Sequence, residues 1–140
     1  MVCLRKKKAG ASSAVDLYTE ISVLALQIVR CCPKDFSDAI VAIGNPAVRL
    51  KWIEKISDTY YIPIMIHPLA YVSNSAKIGC GTVIEPMAVI HTDATVGIGC
   101  IISAGAVVNH NAILGDGVHC DCGAVISSGR VVNRMGKIVR

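Results

Sequence analysis

The sequence predicts a mainly β protein whose second half is a parallel β-helix preceded by a partial α/β segment, and three observations lead there. The first is a six-residue period. Steps of six from Ile66 reach Val72, Ile78, Ile84, Ile90, Val96, Ile102, Val108, Leu114, Cys120, Ile126, Val132 and Ile138, and twelve of these thirteen positions are Ile, Leu or Val. The composition would place about four there by chance. The second is a column running four residues further along: Ala70, Ala76, Thr82, Ala88, Ala94, Cys100, Ala106, Ala112, Val118 and Ala124, of which nine of ten are Ala, Thr or Cys. The third is the scarcity of rings, since Tyr71 is the sole aromatic residue between Pro63 and Arg140.

An amphipathic helix would need apolar spacings of three and four, and hairpins would not keep turns in strict phase. Short strands joined by tight corners satisfy both columns. Each hexapeptide sends one aliphatic side chain inward and sets one small residue where the backbone bends and space is scarce. Stacked coils then bury one another's apolar faces through parallel pairing. A narrow prism of this kind has no room for rings.

Composition bounds the rest. The chain has 140 residues, 53% hydrophobic and 17% charged, with a mean hydropathy of +0.55. That length suits one ordinary domain or one domain plus a fragment, and the apolar fraction excludes disorder. No stretch of roughly eighteen residues is free of charges or helix breakers, so no membrane span is expected. No cleavable leader is recognised behind Arg5 to Lys8, and the chain is placed in the cytosol. The net charge of +4 comes from the ends. Arg5, Lys6, Lys7 and Lys8 stand at one, and Arg130, Arg134, Lys137 and Arg140 at the other. Without aromatic interleaving these read as solvated tails, not a nucleic-acid surface. Seven cysteines are an odd number for a disulfide framework. Neither Cys31-Cys32 nor Cys120-Asp121-Cys122 has zinc spacing, so cysteine is read as a small buried hydrophobe.

In chain order, residues 14–30 make a plausible helix with Leu17, Ile21, Leu24 and Ile28 on one face. Asp38 to Gly44 reads as a buried strand ending in a turn. Asn45 is a natural N-cap and Pro46 a natural first helical residue, opening a helix to about Ser57 with Val48, Trp52, Ile53 and Ile56 as its apolar side. The order suggests part of a βαβ unit. The turn at Gly44-Asn45 could approach a phosphate through the helix N-terminus, although capping alone explains it better. The hexapeptides then run to Ile126 without a break. Beyond it the small column fails at Arg130, leaving the last dozen residues as a frayed coil or a basic tail.

At this point the columns resemble the hexapeptide-repeat family of left-handed β-helices, an exception to the right-handed rule for parallel crossovers, with three hexapeptides per coil. The stretch from Asp38 onward resembles one branch of it, the bacterial sugar acetyltransferases acting on sialic acid hydroxyls or UDP-linked amino sugars. The matching residues are Asp-Ala-Ile-Val-Ala-Ile-Gly-Asn (38 to 45), His67-Pro68, and Asn-His-Asn-Ala-Ile-Leu-Gly-Asp-Gly-Val-His (109 to 119). The resemblance implies a partial Rossmann-like substrate-domain fragment over 1–61 and a left-handed parallel β-helix over 62–140. It has two departures. The strand and glycine-rich loop that begin the family's fold are not found in residues 1–37, and the family continues for further coils along which coenzyme A lies. The chain thus reads as truncated at both ends.

The implied activity is transfer of an acetyl group from acetyl-CoA, as co-substrate, to an amino or hydroxyl group of a sugar. Such transfer needs a base for the acceptor's proton, donors for the oxyanion, and a groove that aligns both substrates. His110 lies two residues past an inward valine, in the column of Thr92 and Ser128, so it points to a corner or outer face. By spacing alone it is a base or an ordinary exposed histidine, and it matches the family's proton-abstracting histidine. Asn111 stands where the family usually carries an acidic residue that orients the ring. An amide supplies no charge there, so the base should be weaker. His119 matches a histidine near the acetyl donor, and Ser128 matches the glycine whose N–H meets the oxyanion. Gly44 and Asn45 fall at the nucleotide-facing turn. No metal site is expected. His67 and His91 are read as structural or surface residues, and Asp116 as a corner residue. The family's subunits form homotrimers with the site between prisms. Two alternatives remain open: an inert trimeric relative, and a metal-dependent hydratase on the same prism, for which the nine-residue gap between His110 and His119 is a poor fit.

Overall fold

A computed structural model of the chain describes residues 2–6 and 36–140, with backbone alone for 2–6 and 36. The expected helix over 14–30 and the Cys31-Cys32 pair lie outside the described residues. Strand β1 (Val2–Lys6) pairs antiparallel with β2 (Phe36–Val41), and helix α1 (Pro46–Ile56) follows. Thirteen two-residue strands, β3 to β15, then occupy Met65–Ile66 through Lys137–Ile138.

Those thirteen strands build a parallel β-solenoid of about four turns, mainly β with one short helix, consistent with the left-handed β-helix that the resemblance implies. Its first face stacks β4 (Tyr71–Val72), β7 (Val89–Ile90), β10 (Val107–Val108) and β13 (Val125–Ile126). Its second stacks β5 (Lys77–Ile78), β8 (Thr95–Val96), β11 (Ile113–Leu114) and β14 (Val131–Val132). Its third stacks β3 (Met65–Ile66), β6 (Val83–Ile84), β9 (Ile101–Ile102), β12 (His119–Cys120) and β15 (Lys137–Ile138). Register pairs each residue with the one a coil later, as in Val108 with Ile126 and Leu114 with Val132. The final residues therefore form a coil and not a loose tail.

Both columns point inward. The aliphatic one fills the axis, where Ile84, Ile90, Ile102, Leu114 and Ile126 are buried and each contributes about 1.5–3 kcal/mol. The small one lines the corners: Ala88, Ala94, Cys100, Ala106, Ala112 and Ala124 have no exposed surface. Thr82 is the polar member and is satisfied, donating to the Gly97 carbonyl at 2.8 Å and accepting from the Cys100 N–H at 3.0 Å. Burial pushes the Cys100 thiol up to about 11 and Cys120 up to about 12, which leaves both neutral and unreactive. Cys80 and Cys122, by contrast, are exposed at corners, so the buried reading holds for Cys100 and Cys120 but not for these two.

The segment before the solenoid departs from expectation in two ways. The β2–α1 order returns in a single parallel bridge between Asp38 and Tyr61, in keeping with part of a βαβ unit, whereas β1 joins β2 antiparallel, which the expectation did not include. No further strand joins β1 and β2 in one sheet among the described residues. Helix α1 starts as anticipated, with the Asn45 side chain accepting from the Val48 N–H at 3.1 Å. Its buried side, however, is Arg49, Leu50, Ile53 and Ile56, while Val48 is exposed and Trp52 is half-buried.

The reason lies in what α1 covers. The corner between the second and third faces carries glycines in pairs, Gly79 and Gly81, Gly97 and Gly99, Gly115 and Gly117. The Cβ positions of Gly99 and Gly117 would fall 2.7 Å from Ile53 and 2.9 Å from Leu50, and both residues have positive φ, so glycine admits the helix side chains and the left-handed bend together. Arg49 reaches across this corner. It is 1% exposed and donates to the carbonyls of Gly99 (2.7 Å), Gly117 (3.1 Å), Ile43 (2.6 Å) and Gly44 (2.9 Å).

Candidate active site

The corner between the first and second faces has the opposite chemistry. Coil by coil it reads Ser73-Asn74-Ser75, His91-Thr92-Asp93, Asn109-His110-Asn111 and Ser127-Ser128-Gly129. No helix covers it among the described residues, and His110, Asn111 and Ser128 are all exposed.

Its frame is built from backbone and amide bonds. The Asn109 side chain donates to the Ile126 carbonyl at 2.9 Å, the Asn111 N–H to the Thr92 carbonyl at 3.1 Å, and the Gly129 N–H to the His110 carbonyl at 3.0 Å. Asn111 holds a positive φ of 58°, a conformation that asparagine tolerates better than most residues, so it has a backbone role as well as a side-chain one. On this frame the His110 ring lies between two groups. Ser128 Oγ is 2.9 Å from Nε2, and the Asn111 amide is 3.3 Å from Nδ1. Three of the sequence-predicted residues are therefore brought together.

Two corner N–H groups bind carboxylates. Ile98 and Ala104 occupy the same hexapeptide position as Ser128, and their N–H groups bind carboxylate oxygens of Asp116 (2.8 Å) and Glu85 (2.9 Å). A backbone N–H at this position can therefore hold a negative oxygen. Asp116 is engaged in that structural contact, as its corner reading anticipated.

The remaining candidates are elsewhere. His119 sits on the third face, half-buried, with Nε2 3.3 Å from Ser103 Oγ and 3.6 Å from Asp121, whose carboxylate also meets Lys137 at 3.1 Å. It shares none of these partners with His110. Gly44 and Asn45 lie at the α1 N-terminus, where the Gly44 carbonyl accepts from Arg49 and the Asn45 side chain caps the helix. His67 Nδ1 accepts from the Leu69 N–H, and His91 meets Tyr71 edge-on at 6.5 Å. No group of three His, Cys, Asp or Glu side chains arranged for a metal occurs among the described residues, and no described helix is long and apolar enough to cross a membrane. Sequence reasoning missed the Ser128 hydroxyl, having valued only its N–H. The eighteen-residue coil that aligns Ser128 with His110 was the available signal.

No family model matches the chain, and no curated protein matches it. Solved structures do. The acetyltransferase domain of PglB from Neisseria gonorrhoeae is 29% identical over 77% of this chain and 58% of that one, with a TM-score of 0.65. The same domain in complex with acetyl coenzyme A is 25% identical over 95% of this chain and 67% of that one, also at 0.65. A histidine-to-alanine variant of GDP-perosamine N-acetyltransferase from Caulobacter crescentus, in complex with CoA and GDP-perosamine, is 27% identical over 72% and 60%, with a TM-score of 0.55. The chain thus spans 58% of the length of the first of these and 60% of the last. Its period and stacked faces make it a parallel β-solenoid of hexapeptide repeats, similar to the acetyltransferase domain of PglB and to a GDP-perosamine N-acetyltransferase.

Proposed function

We propose that the chain transfers an acetyl group from acetyl-CoA to the amino group of a nucleotide-linked sugar at the corner carrying His110. The observation that carries this reading is the convergence of an exposed imidazole, the Asn111 amide and the Ser128 hydroxyl on one edge of the prism. The likeness to proteins solved with acetyl coenzyme A, CoA and GDP-perosamine supports the choice of donor and acceptor.

The amine attacks the thioester carbonyl while His110 Nε2 takes its proton. The tetrahedral oxyanion is met by the Ser128 N–H, and collapse expels the thiolate, which is reprotonated by the imidazolium. His119, on the third face opposite this corner, would meet a donor only against a neighbouring copy. Ile113, Val125 and Val131 flank the corner with 47%, 57% and 63% of their surface exposed, and a second copy packed there, as in a homotrimer, would complete the donor cleft.

The test is release of free CoA thiol from acetyl-CoA in the presence of GDP-perosamine or a UDP-linked amino sugar. His110→Ala should lower the rate by about 10²–10⁴-fold with the fold retained. Undiminished turnover in that variant removes His110 as the base.

A further inference from the structure

Direct transfer needs only the N–H of residue 128, yet this chain places a hydroxyl there, 2.9 Å from His110 Nε2. The Asn111 amide stands 3.3 Å from the other ring nitrogen. An alcohol, an imidazole and an amide in line across the two ring nitrogens are the parts that convert a weak nucleophile into an effective one. The base takes the hydroxyl proton at one nitrogen, and the third group sets the tautomer at the other. With the amide nitrogen toward Nδ1 the ring proton sits on Nε2. A half-turn of the amide presents its oxygen to Nδ1–H and frees the Nε2 lone pair for Ser128. Ser128 also carries its own N–H at the hexapeptide position that binds carboxylate oxygen in the Ile98 and Ala104 corners. Because the three side chains are exposed, an acyl donor can reach them.

We propose that Ser128 is an acyl-accepting nucleophile, driven by His110 and oriented through Asn111, so that the chain forms a serine acyl-enzyme. The proposal rests on the preceding reading only in naming acetyl-CoA as the donor. In the step, the Ser128 Oγ–carbon bond forms as the hydroxyl proton passes to His110 Nε2. The carbon–sulfur bond then breaks, and the thiolate leaves with the proton returned by the imidazolium, giving O-acetyl-Ser128 and CoA thiol. Water reverses the sequence, with His110 again taking the proton. Without an acceptor sugar the chain is therefore a slow acyl-thioester hydrolase.

The experiment exposes the full chain to p-nitrophenyl acetate and, separately, to acetyl-CoA, both without sugar, followed by acid quench and peptide mass mapping. Exchange of labelled CoA into acetyl-CoA is measured in parallel. The expected result is one acetyl group on the peptide containing Ser128, absent in Ser128→Ala and Ser128→Gly and reduced about a hundredfold in His110→Ala. CoA exchange should depend on the same residues. Circular dichroism on Ser128→Gly, an exposed corner substitution, checks that the fold persists. Absence of label from both donors overturns the proposal. If sugar acetylation then proceeds undiminished in Ser128→Gly, the transferase reading survives alone. Label from p-nitrophenyl acetate with no turnover of acetyl-CoA supports the nucleophile and removes the transferase reading instead.

Discussion

Replacing Arg49 with leucine is expected to unhook α1 from the solenoid. The guanidinium is buried without a carboxylate partner among the described residues, and burial lowers its pKa. Its contacts are four carbonyls on two structural units. Leucine restores most of the apolar volume but leaves the Gly99 and Gly117 carbonyls buried without donors, at about 1–3 kcal/mol each. The Ile43 and Gly44 carbonyls are partly exposed and regain water. Release of the desolvated cation offsets part of the loss, so the net destabilisation should be about 2–4 kcal/mol. Trp52, the single tryptophan, lies on α1 and reports the helix by fluorescence, while far-UV circular dichroism follows the strands. In urea, the fluorescence midpoint of Arg49→Leu should fall below its dichroism midpoint, because the helix detaches before the coils open. Arg49→Lys should fall between, since a point charge cannot span acceptors on both units. A leucine variant within about 0.5 kcal/mol of the parent, with coincident transitions, would refute the argument.

Further outcomes follow from the corners and the axis. Gly97→Ala sets a Cβ 2.7 Å from the Asp116 backbone nitrogen and 2.8 Å from the Gly115 carbonyl carbon, neither of which can yield, and should cost several-fold more stability in urea than Gly129→Ala. At Gly129 nothing lies within 4 Å, and only the left-handed strain of about 1–2 kcal/mol applies. Asn111→Gly keeps the positive φ but loses the amide, so stability should hold while acetyl transfer drops about fivefold. Asn111→Ala should lose both, as paired unfolding and rate measurements would show. For Cys100 and Cys120, the folded thiols stay protonated to about 11 and about 12, while unfolded thiols ionise near 9. Their contribution is therefore complete below about pH 9 and is lost as pH rises through the folded values, by about 1.4 kcal/mol per pH unit for each thiol. Cys120→Val should flatten that alkaline decline in a urea series, and an unchanged slope would exclude the thiol as its source.

The solenoid was legible because a coil repeats its environment every eighteen residues, so each inward slot makes the same demand on size and polarity. Ile84, Ile102 and Cys120 stack in one line for that reason, and Ala88, Ala106 and Ala124 in another. The same repeat places His110, Asn111 and Ser128 on one corner. It could not show that the Ser128 hydroxyl turns toward Nε2, because a period places a Cα and leaves the rotamer undetermined.

What residue order alone decided, then, is the prism: its coils, its axis, and the polar edge that carries the imidazole. Tertiary structure decided everything that is not periodic. The face α1 buries is the clearest case. Helical spacing favours Val48 and Trp52, but the glycine corner offers unsatisfied carbonyls that a long cation can reach and valine cannot, so Arg49 turns inward. The antiparallel pairing of β1 with β2 is likewise a non-local choice, made beside the parallel bridge that β2 forms with Tyr61.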